Sequence, residues 1–456
     1  MEQRYDVFVI GGGGTGSEVA FSLGGRSKFK IGIAERDKLG GECNHYGCVP
    51  TKVMLRSAKV AAWARDAARF GVRVPSVEVD FQAVVGRARS IIDGFSGGGA
   101  KPFEEQGIDV LFDEVRLVGP HKLETSAGQM IEADRIVIAT GTEPTAPPID
   151  GLEGAPYWTN KEAIWSAKDV PASLVVLGSG PIGIEFAQIY ARFGAKVTIV
   201  ELFDRIIYVE DADSSAALAP ALAEEGIEMI TGAKTKRIEH GTGGWSLHIE
   251  GRDPLKTEEL LVATGRKPCF DEHDLDAAGI QMKDGKPVLD ETLRTTGDKI
   301  WAGGDATGDL LFTHVGTYEA EIIVDDILGH RRPRDYRVIP KVTYCEPEVA
   351  SVGHSEQAAR DEGHDVVTSL LKFADNERAV IDGQMHGIVK LVADKKSREL
   401  LGGHIVGEGA GDMIHEIVAV MAGRIPSEVV GEAIHSYPTL SESVKGSFLQ
   451  LSAKLR

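Results

Sequence analysis

Cys43 and Cys48 stand five residues apart in Gly40-Gly41-Glu42-Cys43-Asn44-His45-Tyr46-Gly47-Cys48-Val49-Pro50-Thr51-Lys52. They are two of only four cysteines among 456 residues. A lone close pair in so long a chain reads as redox or metal chemistry rather than a secreted disulfide framework. In an ideal helix, residues i and i+5 lie about 7.5 Å apart along the axis. A disulfide needs Cα atoms roughly 4.4–6.8 Å apart. A bridge here therefore requires an irregular segment, with Gly47 supplying the conformational freedom. Pro50 suits a first helical turn, which puts Cys48 near a helix N-terminus, where a thiolate is stabilised. The placement suggests a disulfide that accepts electrons; a structural or fortuitous pair is the alternative.

Such a pair needs a partner that carries electrons, and the flanking elements point to one. Residues Tyr5–Glu35 read as strand, glycine-rich turn, helix and strand. The strand Val7-Phe8-Val9-Ile10 is apolar throughout, as in a buried parallel sheet. Gly11, Gly13, Gly14 and Gly16 fall in a G-x-G-x-x-G turn that lets backbone N–H groups approach a pyrophosphate at a helix N-terminus. Glu35, ending the next strand, is placed for a ribose 2′-hydroxyl. The order repeats over Ser173–Glu201, with Gly178, Gly180, Ile182 and Gly183 in the second turn and Glu201 in the acid position. Two units imply two dinucleotide sites. An acid at Glu201 favours the free 2′-hydroxyl of NAD over NADP, although Arg205 lies close in sequence.

Two shorter strands, Ile136–Gly141 and Leu260–Gly265, each end in Ala-Thr-Gly, giving Thr140, Gly141 and Gly265 at matching offsets. The proline-rich stretch Thr142–Gly154 reads as a crossing between domains. Gly304 and Asp305, closing Trp301-Ala302-Gly303-Gly304-Asp305, suit a hydroxyl of a ribityl or ribose group, or an ordinary turn. From about Asp335 the pattern becomes α+β, with strands within Val338–Val352 and Ile388–Val392 and amphipathic helices Met413–Ala422 and Ser441–Leu451. The segment Phe95-Ser96-Gly97-Gly98-Gly99 reads as a flexible loop, or as the end of a pocket-lining helix. The net charge of −19 disfavours nucleic-acid or anionic-membrane partners. No apolar run reaches the roughly 18 residues of a membrane span, and no signal peptide is expected at the N-terminus. The reading is a cytoplasmic protein with an ordinary globular composition, 42% hydrophobic and 26% charged.

The two nucleotide units, the Cys43/Cys48 segment, the paired Ala-Thr-Gly motifs and Gly304-Asp305 resemble the pyridine nucleotide–disulfide oxidoreductases. That family includes dihydrolipoamide dehydrogenase, glutathione reductase, mercuric reductase and the soluble transhydrogenase. The resemblance covers essentially the whole chain. It implies an α/β fold of two Rossmann-like domains and a C-terminal α+β dimerisation domain. The expected boundaries are 1–150 with 270–334 for FAD, 151–269 for NAD and 335–456 for the interface of a homodimer. It assigns Arg36, Gly41, Glu42, Val115 and Thr140 to FAD beside the glycines, Glu35 and Asp305. It makes Cys48 the flavin-facing thiolate and Cys43 the thiol that exchanges with substrate. Lys52 and Glu185 are implied as an ion pair tuning the flavin. Thr313 and His314 are implied as the helix start that faces it, with His314 read as a packing residue rather than a proton carrier. Cys269 and Cys345 are expected to be buried, inert thiols, and no resident metal site is expected.

One position departs from the family. Where its disulfide reductases carry His-Pro-Thr-x-x-Glu, this chain reads Tyr437-Pro438-Thr439-Leu440-Ser441-Glu442. Tyr437 replaces the catalytic imidazole and Glu442 is kept as its expected partner. A phenol near pKa 10 takes a thiol proton less readily than an imidazole near 6.5. His435, two residues upstream, should point elsewhere. A tyrosine here resembles mercuric reductase and the transhydrogenase. Yet the chain ends without mercuric reductase's C-terminal cysteine pair, no N-terminal metal-carrier domain is expected, and the cysteine pair the transhydrogenase lacks is intact. The leading expectation is electron flow from NADH through FAD to Cys43–Cys48 and on to a small acceptor at a site shared across the dimer. Alternatives are a metal-ion or quinone reductase with Tyr437 as ligand or donor, a transhydrogenase, or a non-enzymatic FAD-binding scaffold or sensor.

Overall fold

A computed structural model describes residues 3–96 and 99–456. Met1, Glu2, Gly97 and Gly98, which carried part of the N-terminal and glycine-loop readings, lie outside the described residues. The chain forms two compact units. The first is Met1–Val53, Val85–Thr145 and Gly265–Asp335; the second is Met54–Val84, Ala146–Thr264 and Tyr336–Arg456.

The first unit is built on a five-stranded parallel sheet in the order Ile300–Ala302, Ile136–Ile138, Val7–Ile10, Ile31–Ala34 and Asp109–Leu111. Every residue of Val7–Ile10 and Ile31–Ala34 is buried, as the unbroken apolar runs require. Helices Gly14–Arg26 and Thr313–Ile327 supply Val19, Ala20, Leu23, Ile322 and Ile323 to the core on this sheet. A second sheet orders Gln3–Tyr5, Met130–Ala133, Lys122–Thr125 and Val115–Gly119. The stretch expected as a plain crossing begins instead with a short strand, Thr142–Pro144, paired antiparallel with Arg266–Pro268. The expected loop at Phe95 is also corrected: Phe95 and Ser96 close the helix Phe81–Ser96, and Phe95 is 75% exposed.

The second unit repeats the nucleotide architecture. Its parallel sheet runs Glu228–Ile230, Lys196–Val200, Ser173–Leu177 and Glu259–Val262. Residues 336–456 contribute a five-stranded antiparallel sheet in the order Pro340–Thr343, Glu348–Gly353, Leu400–Gly407, Ile388–Asp394 and Val366–Lys372. Helices Ala410–Gly423 and Glu442–Leu455 pack on it through Ile414, Ile417, Val444 and Phe448.

Residues 151–264 and 336–456, taken from two segments expected as separate domains, fall within one unit, and 54–84 joins them. Buried charge connects the three. Arg192 binds Glu225 at 2.7 Å and Glu346 at 2.6 Å. Lys59 binds Glu346 at 2.7 Å and Glu408 at 2.8 Å. Lys390 lies between Asp211 at 2.9 Å, Asp213 at 2.6 Å and Glu356 at 2.8 Å. Stripped of these partners such cations would be costly to bury, so the segments are held as one body.

Candidate active site

In the first unit the strand Val7–Ile10 breaks at Gly11, whose φ of +103° suits glycine. The helix Gly14–Arg26 follows directly. A Cβ at Gly16 would lie 1.9 Å from the Gly11 carbonyl oxygen, so only glycine lets helix and turn meet this closely. Glu35 does more than the sequence suggests. Its carboxylate accepts the Gly12 N–H and the Asp37 N–H, each at 2.8 Å, and so ties the turn to the end of the second strand. Two oxygens carry several lone pairs, so a ribose hydroxyl can still be accepted.

This turn opens into a cleft of about 920 Å³ lined by Gly11, Glu35, Arg36, Val115, Thr140 and Cys269. The Thr140 hydroxyl is buried there without a protein partner. Nearby, Thr142 donates to Asp305 at 3.0 Å and accepts from Arg266 at 2.9 Å, and Arg266 also pairs with Glu42 at 3.2 Å. Burial pushes the Asp305 carboxyl up, opposed by the Thr142 hydrogen bond. Gly304 has φ +66° and donates its N–H to the buried Glu319 at 2.6 Å. Arg266, Thr142 and Glu319 were missed in the sequence, because their partners are remote along the chain. Cys269 is half-buried at the cleft wall, 3.9 Å from the Arg36 guanidinium, and burial raises its thiol pKa. That disfavours the thiol as a nucleophile, although the full burial expected of Cys269 is not observed.

The cysteine segment is irregular in a specific way. A helix Gly41–His45 ends at Tyr46, and a new helix Cys48–Asp66 starts at Cys48. Pro50 lies in its first turn. The role expected for Gly47 is corrected: its φ is not positive. Its value is space, since a Cβ there would lie 3.3 Å from the Glu42 carbonyl oxygen. The left-handed residues are Gly40, φ +93°, and Gly41, φ +60°. The Cys43–Cys48 bond is not formed in this structure. The hydrogen bond with Cys48, in which Cys43 keeps its proton, and then burial hold the Cys43 thiol well above its ordinary range, opposed by Thr313 and the Lys52 charge. The Cys48 sulfur lies 3.7 Å from Thr313 Oγ1, at the N-terminus of Thr313–Ile327. Two helix N-termini therefore converge on Cys48, which favours a thiolate. His314 is exposed and stacks on Phe312, centroids 5.4 Å apart, so it is not a core packing residue.

The second unit repeats the first turn atom for atom in its wiring. Gly178 has φ +101°, and a Cβ at Gly183 would lie 2.1 Å from the Gly178 carbonyl oxygen. Glu201 accepts the Ser179 N–H at 2.8 Å and the Phe203 N–H at 2.9 Å. Gly180 caps the helix Pro181–Phe193, in which Ile182 is the second residue. Arg205 turns onto its own loop, donating to the carbonyls of Tyr208 at 2.8 Å and Glu210 at 3.2 Å. Glu185 is buried and accepts the Tyr344 N–H at 3.0 Å. Lys52 belongs to the first unit and Glu185 to the second. Gly265, φ +151°, falls in the first unit, where its carbonyl accepts the Thr145 N–H at 3.0 Å. Cys345 is fully buried, and burial, with Glu185 nearby, raises its thiol pKa far above the ordinary value.

At the C-terminal end the expected partnership is different. Glu442 accepts the Thr439 N–H at 3.1 Å and so secures the loop. The Tyr437 hydroxyl donates instead to Glu377, a residue no motif marked. Glu442 acts on Tyr437 only as a nearby negative charge. Tyr437 is 72% exposed. His435 is turned inward: one ring nitrogen lies 2.9 Å from Glu416 and the other 3.4 Å from the Ala433 carbonyl.

Comparison with known proteins decides the family. Residues 5–320 match the pyridine nucleotide–disulphide oxidoreductase model, and residues 339–448 match the dimerisation domain of the same family. The chain belongs to the pyridine nucleotide–disulphide oxidoreductases. It is 37% identical over 464 residues to a dihydrolipoyl dehydrogenase of Chlorobaculum parvum, covering 99% of this chain and 98% of that one. A mercuric reductase of Lysinibacillus sphaericus is 32% identical, covering 97% of this chain and 82% of that one. Among solved structures, a Cu(II) complex of the HOCl-induced flavoprotein disulfide reductase RclA from Escherichia coli superposes with a TM-score of 0.87 at 28% identity. That match covers 97% of this chain and 99% of that one.

As a member of this oxidoreductase family the protein is an FAD-dependent enzyme using a nicotinamide dinucleotide; in the family the acceptor is of the disulfide or dithiol type. Its dimerisation domain supports a homodimer. Among the described residues no helix is long and apolar enough to cross a membrane, and no cluster of three or more His, Cys, Asp or Glu could hold a metal. The first unit fits FAD. The cleft is large enough for part of a dinucleotide, its glycine turn excludes a Cβ, and Thr140 leaves a buried hydroxyl to be satisfied.

Proposed function

We propose that the enzyme runs on a Cys43/Cys48 dithiol–disulfide couple and serves a small disulfide or dithiol of the lipoamide type. The observation that carries this is the convergence of both sulfurs and Thr313 at two helix starts. The dihydrolipoyl dehydrogenase relatives, matched over nearly the full chain, support the acceptor class. FAD, when bound, supplies the path for two electrons from reduced nicotinamide dinucleotide. Gly11, Gly13, Gly14, Gly16, Glu35, Arg36, Gly41, Glu42, Val115, Thr140, Gly141, Gly304 and Asp305 are the residues we assign to holding it.

The Cys43–Cys48 bond takes up two electrons and two protons to become two thiols. As a thiolate, Cys43 then attacks one sulfur of the acceptor disulfide and forms a mixed disulfide with it; the acceptor's S–S bond breaks, and its other sulfur leaves as a thiolate and is protonated. Cys48 attacks Cys43, expels the second acceptor thiol and restores the disulfide. Lys52 stands as a fixed positive charge that lowers the cost of a thiolate at Cys43. We keep the three expected segments, 1–150 with 270–334, 151–269 and 335–456, as the FAD, nicotinamide and dimer-forming parts. The exposure of Tyr437 supports a second proposal, that it completes the acceptor site across the homodimer. The scarcity of cysteines and the redox-active use of the pair support a reducing, cytoplasmic setting.

For the nicotinamide cofactor we propose NAD, held by Gly178, Gly180, Ile182 and Gly183 with Glu201. Arg205 is committed to two backbone carbonyls and so is drawn away from any 2′-phosphate. A KM for NADPH at least about tenfold above that for NADH is expected; equal values refute the assignment.

The test of the couple is spectroscopic. Two-electron reduction of the loaded enzyme should give a long-wavelength thiolate–flavin absorbance that Cys48→Ser abolishes. An unchanged band in that variant overturns the reading. A second reading has the dithiol deliver electrons to a metal ion as substrate. The mercuric reductase relatives and the Cu(II) complex of RclA favour it. Parallel turnover assays with lipoamide, Hg(II), Cu(II), a quinone and an oxidised nicotinamide analogue separate the acceptors.

A further inference from the structure

A phenol at position 437 poses a chemical problem: alone, it is too weak a base to take a thiol proton near neutral pH. The chain supplies a carboxylate behind it. Glu377 opens the short helix Glu377–Asp382 and accepts the Tyr437 hydroxyl. Its place is secured by Asn376, which is buried at the helix N-cap. Asn376 Oδ1 accepts the Ala379 N–H at 3.1 Å. Its amide donates to the Thr439 carbonyl at 3.1 Å and to Ser443 at 2.9 Å. Glu442 fixes the same loop through the Thr439 N–H. The strand-to-helix corner at 376–377 and the loop at 437–439 are thus locked together within one chain.

The other candidate base is spent. Both ring nitrogens of His435 are engaged, with Glu416 and the Ala433 carbonyl, and its side chain is 13% exposed. The charged groups facing the Tyr437 hydroxyl are Glu377 and, more weakly, Glu442.

We infer that Glu377 is a positioning residue for the acceptor site: it holds the Tyr437 hydroxyl proton, so the phenol oxygen turns only lone pairs outward and selects ligands that bring their own acidic hydrogen, above all thiols. This deepens the proposed function and rests on its placing of Tyr437 at the acceptor site. The step balances. A thiol proton passes to the phenol oxygen while the phenol proton passes to the Glu377 carboxylate. Tyr437 ends neutral, Glu377 ends protonated, and the negative charge has moved from carboxylate to sulfur. The same carboxylate raises the Tyr437 pKa above its ordinary value, which disfavours a phenolate and hence a metal-ligand role.

The test compares Glu377→Gln, Glu377→Ala, Tyr437→Phe and the double variant in the full-length, FAD-loaded enzyme. Dihydrolipoamide and a quinone serve as the two probes. Glutamine keeps a hydrogen-bond acceptor but cannot receive the proton. Glu377→Gln is expected to keep the dihydrolipoamide KM within about twofold and to lose kcat by at least about 10²-fold, the usual scale of proton-transfer assistance. Glu377→Ala should lose both, and adding Tyr437→Phe should cost nothing more. Quinone turnover and the rate of flavin reduction by NADH should stay within about twofold in the two Glu377 variants. Wild-type kcat for dihydrolipoamide in both Glu377 variants overturns the inference, as does an equal loss with quinone. Failure of the underlying reading shows elsewhere: Cys43→Ser would then retain dihydrolipoamide turnover.

Discussion

Gly183→Ala tests how a turn built for a dinucleotide works. The new Cβ would lie 2.1 Å from the Gly178 carbonyl oxygen and 3.1 Å from its carbon. An ordinary contact is near 3.4 Å or more, so helix and turn must separate by more than an ångström. The oxygen is backbone and belongs to Gly178 at φ +101°, so it cannot swing aside as a side chain would. Overpacking of this kind costs about 1–3 kcal/mol. If the strain falls on the nicotinamide turn, binding weakens about 5- to 150-fold. Gly180→Ala is the counterpart. Its Cβ would meet nothing within 4 Å, so only a bound pyrophosphate would feel it. The assay is the KM for NADH beside the thermal midpoint and the FAD content. Gly183→Ala should raise KM and lower the midpoint by several degrees. Gly180→Ala should raise KM with the midpoint unmoved, and both should keep FAD. An unchanged KM in both variants would refute the assignment of this turn to the nicotinamide cofactor. Loss of FAD from either would show that the two turns do not bind separately.

Three further outcomes follow from particular side chains. Thr140→Val removes a buried hydroxyl that has no protein partner, so FAD-free protein should unfold at a slightly higher temperature while FAD retention falls about 2- to 10-fold; unchanged retention in a flavin-release assay counts against Thr140 as a ligand. Cys48→Ser removes the largest cause of the raised Cys43 pKa. Alkylation of Cys43 in the reduced variant should therefore proceed at lower pH than in the wild type; an alkylation profile that moves upward contradicts this. Lys390→Met strands Asp211, Asp213 and Glu356, and should cost about 3–5 kcal/mol in chemical denaturation at pH 7. The Lys390 pKa is raised, so its stabilisation is fully present below the ordinary lysine value of about 10.4 and fades as pH rises through the folded value. Above neutrality the gap between variant and wild type should narrow only in that alkaline range, and a gap that closes near neutrality would show that the cluster contributes little.

Much of the fold is legible in the chain because parallel strands buried on both faces must be apolar throughout. Val7–Ile10 and Leu174–Leu177 announce themselves this way, and the glycine turns and closing acids follow at set offsets. The C-terminal helices were readable from their periodicity, though the observed spans, Ala410–Gly423 and Glu442–Leu455, are longer than expected. The antiparallel meander Thr235–Gly241, Gly244–Ile249 and Leu255–Thr257 escaped notice. Its strands carry polar residues on an exposed face, so no apolar run marks them. At Phe95 the adjacent glycine run in the sequence competes with eleven residues of helical pattern in Val85–Phe95, and the helix prevails.

The site divides along the same line. Cys43, Cys48, the two glycine turns, Glu35 and Glu201 are determined by local spacing, since a turn and the helix after it are neighbours in sequence. What the turn acids hold was decided only by folding: Glu35 and Glu201 each tie two backbone N–H groups. The partner of Tyr437 is the clearest case. Sequence offset named Glu442, but a cap on Thr439 is the bond its position allows, and Glu377 arrives from 60 residues away. Hydrogen bonds between distant segments depend on how sheets and helices stack, and no spacing rule along the chain encodes that geometry. The amino-acid order alone pointed to a disulfide oxidoreductase with a close cysteine pair; the tertiary structure decided which carboxylate stands behind the Tyr437 phenol.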